Sequence, residues 1–156
     1  MKRLLSIILV ILLAASGCKS GNHINKKDSI DNNAKVSIES EIKTYSPMMS
    51  SVPGLPLEAK LETNKEYKNI TFQWVTEQGQ FLTWDRSSGK INILGKDIKT
   101  NEKKLYWSID TKENIKQQSF KIYLKVYDND SSKLICENSI EIEQNKEGVF
   151  SVKKTE

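Results

Sequence analysis

The chain has 156 residues, 24 basic and 20 acidic side chains, a formal charge of +4 and two cysteines, a length that suits one domain of ordinary size. Both signs of charge are interspersed, without the basic stripe that neutralises successive phosphates, so nucleic acid is excluded as an expected partner. No His-Glu-x-x-His, Gly-x-Ser-x-Gly, phosphate loop or Cys and His pairs at metal spacing occur, so the reading is of no enzyme, no cofactor and no metal site.

Met1-Lys2-Arg3 opens the chain with positive charge, and Leu4 to Ser16 follows as a run that is apolar apart from Ser6 and Ser16. This is the layout of a signal peptide over residues 1–17. A membrane-spanning helix needs about twenty apolar residues, and Lys19 ends the run too early for one. Ala15-Ser16-Gly17-Cys18 then resembles the lipobox of bacterial lipoproteins, with Ala15 where that family prefers leucine. The resemblance implies cleavage before Cys18 and lipidation of its thiol. The protein is therefore expected outside the cytoplasm, lipid-anchored to the cell membrane, or to the outer membrane of a diderm host. Loss of Lys2 and Arg3 with the leader would lower the formal charge from +4 to +2.

Residues 18–34 are polar and aperiodic, as expected of a tether. The single histidine, His23, falls there with no orienting partner in sequence. From residue 35 to about 154 the apolar period becomes two, the mark of strands with one buried face. Val36 and Ile38 share a side, as do Leu57, Ala59 and Leu61, then Ile70, Phe72 and Trp74, then Leu105, Trp107 and Ile109. Phe120, Ile122, Leu124 and Val126 form the cleanest set, and a polar turn over Asp128 to Lys133 makes them a hairpin with Leu134 to Glu143. In that last run Leu134, Cys136, Ile140 and Ile142 are expected on one face, which buries the Cys136 thiol. Ile91 to Leu94 and Val149 to Val152 add two short strands. The expectation is an all-β chain forming a single antiparallel β-sandwich of about seven or eight strands.

Phe72-Gln73-Trp74, followed by Tyr123-Leu124-Lys125-Val126-Tyr127-Asp128-Asn129-Asp130, resembles immunoglobulin-like domains, nearest to PKD-type modules. There an aromatic strand carries a core tryptophan, and a late alternating strand ends in an acidic turn. The Gly-Asp-Gly turn of that pattern is replaced by Thr76 to Gln80, and the cysteine pair of antibody domains is missing. The resemblance implies a module that binds, spaces or supports.

Asp128-Asn129-Asp130-Ser131-Ser132 looks like the opening of a calcium loop, but Lys133 occupies the glycine position and Ser139 that of the bidentate glutamate. A hairpin turn is the expected role. The candidate binding set is aromatic: Trp84 with its neighbours Asp85 and Arg86, together with Tyr123 and Tyr127, read as outward-facing and able to stack on a sugar or peptide. The expected function is a membrane-anchored binding or adhesion module, its partners the membrane through the lipid and a protein or carbohydrate ligand at the cell envelope. The alternatives are an accessory subunit of an envelope complex and, behind it, a protease inhibitor using the Thr44 to Pro56 loop.

Replacement of Cys18 by serine is expected to abolish both processing and membrane association. Intact mass of the wild-type protein should show a diacylated cysteine at the new terminus.

Overall fold

A computed structural model describes residues 33–110 and 118–153. The expected leader, Cys18 and His23 lie outside the described residues. The strands in chain order are β1 (Ala34–Glu39), β2 (Thr44–Tyr45), β3 (Leu55–Thr63), β4 (Ile70–Thr76), β5 (Gln80–Asp85), β6 (Lys90–Gly95), β7 (Asp97–Thr100), β8 (Lys104–Ser108), β9 (Ser119–Asp128), β10 (Lys133–Gln144) and β11 (Phe150–Val152). They form two sheets, β1-β3-β8-β5-β6 and β2-β11-β10-β9-β4-β7. Every neighbouring pair is antiparallel. The fold is an all-β sandwich.

Alternation produces the core, because successive side chains on a strand leave opposite faces and only one face of each sheet meets the other. Val36 and Ile38, Leu57 and Ala59, Phe72 and Trp74, Leu105 and Trp107, and the Phe120 to Val126 set all join one buried cluster. Among the described residues eleven strands replace the seven or eight expected, chiefly because β2, β5 and β7 carry little alternation of their own. β2 has two residues and β7 four, and β5 places Phe81 in the core but the adjacent Leu82 on the outer face. The first strand also begins one residue before the expected domain boundary, with Ala34 buried opposite Thr63.

Cys136, Ile140 and Ile142 share the inward face of β10 as expected, but a bulge takes Leu134 off it. Leu134 stands opposite Tyr127, whereas Cys136 stands opposite Val126, so the intervening Ile135 is an extra residue. One inserted residue reverses the faces beyond it. Cys136 is consequently buried with Ile142, and Leu134 lies on the other face; Ile135 is buried as well. The neighbouring turn is held by Asp128, which accepts from Asp130 N at 3.1 Å and from Ser131 Oγ at 2.6 Å.

Trp107 ties the sheets together. From β8, the central strand of its sheet, its ring packs on Phe120 at 5.1 Å and Phe150 at 5.0 Å between centroids, and edge-on to Tyr45 at 6.4 Å. Its indole N–H donates to Gln78 O at 2.8 Å, in the turn by which the chain crosses between sheets. Gly79 follows at φ +70°, and a Cβ there would lie 2.5 Å from Ser108 O and 2.7 Å from the Trp107 ring. Trp74 fills the second half of the core against Phe81, centroids 6.0 Å apart. Its Nε1 is buried with no hydrogen-bond partner among the described residues.

Trp74→Ala should cost about 3 to 5 kcal/mol through lost apolar transfer and the cavity left behind. Trp74→Phe should cost much less, since it also removes an unpaired buried N–H. Gly79→Ala should destabilise strongly, through both the left-handed backbone and the clash with Trp107. Denaturant melts rank the three variants.

Candidate functional site

Since Phe81 points into the core, Leu82 and Trp84 leave β5 on the outer face; since Leu105 and Trp107 point inward, so does Tyr106 leave β8. Registration sets Leu82 between Tyr106 and Ile93, and Trp84 beside Ile91. The outer face of the five-stranded sheet thus carries an apolar row. Ile91 is 48% and Ile93 65% exposed, Trp84 is half-buried, and Leu82 and Tyr106 are buried beneath their neighbours.

The turn after β5 brings a cation back over this row. Asp85 accepts from Ser87 N at 2.9 Å, Ser87 Oγ at 2.6 Å and Ser88 Oγ at 2.6 Å. These donors, the two serine hydroxyls first, lower its carboxyl to a pKa of about 2. Arg86 then lies with its guanidinium carbon 5.3 Å from the Trp84 ring centroid. Its Nη2 donates to the Tyr106 hydroxyl at 3.3 Å, which raises the Arg86 pKa above its ordinary value. Tyr106 meets Trp84 edge-to-face at 5.8 Å and 76°. Nearby, Lys104 Nζ donates to Glu41 Oε1 and pulls that carboxyl below its usual range.

The result is a tryptophan whose ring is braced by one aromatic edge and one guanidinium, bordered by exposed isoleucines. Aromatic and arginine side chains of this kind carry much of the energy of protein interfaces. Asp85 is committed to its own turn, so its part is to hold Arg86 in place. Sequence reasoning missed Leu82, Tyr106, Ile91 and Ile93 as site residues. The alternation Leu82-Thr83-Trp84 was a signal, but the pairing of β5 with β8 and β6 was not readable.

Tyr123 and Tyr127 do not belong to this surface. They lie on β9, opposite Val75 and Thr71, on the outer face of the other sheet. Tyr123 donates to Glu77 Oε1 at 2.8 Å, which raises the phenol pKa, and Tyr127 donates to Gln73 Oε1 at 3.3 Å with Lys99 Nζ 5.5 Å from its ring centroid. The five residues read together from sequence are therefore two sets on opposite sides of the sandwich. The separation follows from sheet membership, which puts β5 and β9 in different layers.

Two further clefts lie away from this face. Tyr127, Asp128 and Asn129 line one of about 410 Å³ with Lys99 and Asn101; Met48, Met49, Ile109 and Phe150 line a more apolar one of about 340 Å³ at the end of the sandwich. The latter contains part of the loop expected to suit an inhibitor. Among the described residues no group of three or more His, Cys, Asp or Glu is placed to hold a metal ion. No family model, curated protein or solved structure matches this chain.

A depressed carboxyl contributes stability that is complete above its unfolded pKa of about 3.9 and is lost as pH falls through the folded value. The Asp85 turn should therefore persist at pH 3 and loosen near pH 2. Carboxyl titration by NMR should give a midpoint near 2 for Asp85, and paired Ser87→Ala and Ser88→Ala changes should move it up toward about 3.9.

Proposed function

We propose that this protein is an extracytoplasmic lipoprotein, anchored through Cys18, whose β-sandwich binds a protein or carbohydrate ligand at the cell envelope through the Trp84 face. The carrying observation is the Trp84, Arg86 and Tyr106 assembly on an outer sheet surface, beside Ile91 and Ile93. A half-buried ring backed by a fixed cation offers a rigid face for a sugar ring or an apolar side chain, with little ordering cost on binding. The other outer face offers less apolar surface. Several of its charged side chains are engaged with one another, Lys153 with Glu141 and Glu143, and Lys125 with Glu137 at 3.8 Å.

The strand order supports an immunoglobulin-like assignment for the domain. With β1, β3, β4, β5, β8, β9 and β10 taken as strands A to G, one sheet contains the A-B-E-D order and the other C-F-G. Trp74 then occupies the core position on strand C. β2, β6, β7 and β11 are additions to that frame. The anchor reading rests on the leader and on Gly17-Cys18, and a tether ahead of Ala34 would hold the sandwich off the bilayer.

Binding of the full-length protein to isolated cell envelopes, followed by digestion of either the glycan or the protein fraction, tests the reading. Trp84→Ala and Arg86→Ala should each reduce binding while leaving the thermal melt little changed, and Tyr123→Ala should leave binding intact. Equal loss in Tyr123→Ala, or undiminished binding in Trp84→Ala, would count against the Trp84 face.

A further inference from the structure

Each sheet of an open sandwich ends in two edge strands, and an edge exposes backbone N–H and C=O groups to any passing strand. Among the described strands three of the four edges are blunted. β1 turns Val36 and Ile38 inward, leaves Lys35 and Glu39 exposed, and has the Val36 carbonyl occupied by Asn138 Nδ2 at 2.7 Å. β2 is only two residues long. β7 has four residues, with Ile98 buried and the charged Asp97 and Lys99 exposed on either side of it.

β6 has none of these protections along its central stretch. Its sequence is Lys90-Ile91-Asn92-Ile93-Leu94-Gly95, without proline and with no charge after Lys90, and its one paired side faces β5. Ile91, Ile93 and Leu94 are the exposed large aliphatics of this sheet, and the bulge at Leu94 falls near the end of the strand.

We propose that β6 pairs antiparallel with β6 of a second copy of this chain, about a two-fold axis at Asn92, joining two five-stranded sheets edge to edge. The pattern of the strand selects the occupant. A partner must place apolar residues on the outer face two positions apart with a polar residue between them, and Ile91-Asn92-Ile93 meets that demand when inverted on itself. Pairing centred on Asn92 sets each Ile91 against the other copy's Ile93, on the same face as Trp84. It also sets Lys90 opposite Leu94, which keeps the two lysines at opposite ends. Centring one residue either way leaves an isoleucine opposite Gly89 or Gly95. The contact is isologous, so it closes at two copies. It leaves the outer face around Trp84 uncovered, and so does not depend on that face binding a ligand.

One short strand pair is small beside stable interfaces of about 1,200 to 2,000 Å², so covalent trapping is the suitable readout. Directly opposed residues in antiparallel strands have Cα atoms about 4.5 to 5.5 Å apart, within disulfide range. Asn92→Cys in the full-length protein, oxidised mildly in intact cells with copper phenanthroline, should give a band of twice the chain mass. Lys99→Cys, on the blunted edge β7 and with the same native cysteines, should not. Adding Ile91→Lys and Ile93→Lys to Asn92→Cys should abolish the band; both sites are exposed, and circular dichroism should show the sheets intact. The proposal is overturned if Asn92→Cys stays monomeric, if it traps a chain of different mass, if the lysine pair leaves the band unchanged, or if Lys99→Cys crosslinks equally.

Discussion

Trp107 is the contact on which the arrangement of the two sheets depends. Its ring sits on the middle strand of one sheet and touches aromatic residues from β9, β11 and β2 of the other. Its N–H satisfies the carbonyl of Gln78, so the same side chain also sets where the chain crosses from β4 to β5. Thr76 Oγ1 donates to that carbonyl too, at 2.6 Å, and Gly79 supplies the backbone conformation that lets the turn close against the ring. Tyr45 extends the cluster outward. Its hydroxyl is 2.9 Å from Ser108 Oγ and 3.2 Å from Pro53 O, and burial raises its pKa above the ordinary phenol value. Where many sandwiches rely on a cross-sheet disulfide, interlocking rings of large area do the same job here.

A sandwich held by its interior is free to differ on its two exterior faces, and this one does. The six-stranded sheet shows the solvent charges and hydroxyls that answer one another, as Tyr123 does Glu77 and Gln73 does Asp97 at 2.8 Å. The five-stranded sheet shows the Trp84 row. The β5–β6 hairpin, tied at its turn by Asp85, both displays that row and supplies the one edge left unguarded among the described strands. Stabilising the core and presenting apolar surface are thereby assigned to opposite faces of the same strand, since β5 sends Phe81 inward and Trp84 outward. Arg86 covers part of the exposed row.

Much of this could be read from the chain alone. Period-two alternation determined that the domain is all-β and named most of its core, including Trp74, Trp107 and the Phe120 to Val126 strand, because burial of one face is imposed locally, residue by residue. The same chemistry marked Asp128 to Lys133 as a turn. Its aromatic ring beside Asp85 and Arg86 marked Trp84 as a candidate on an outer face. It did not reveal β5 as a strand, since Phe81 and Leu82 are both apolar and neighbouring, nor the bulge at Ile135, which changes phase without changing composition.

Tertiary structure alone decided which strands are neighbours. Sequence placed Tyr123 and Tyr127 with Trp84 because all are aromatic and outward; sheet order puts them on opposite sides of the molecule. It likewise brought Tyr106 and Ile91 to Trp84 from distant positions along the chain, and made β6 an edge. The physical reason is that the direction of a side chain depends on its own strand, whereas its company depends on pairings between strands far apart in sequence. Those pairings are set by the collective packing of the core around Trp107, and no local pattern encodes them.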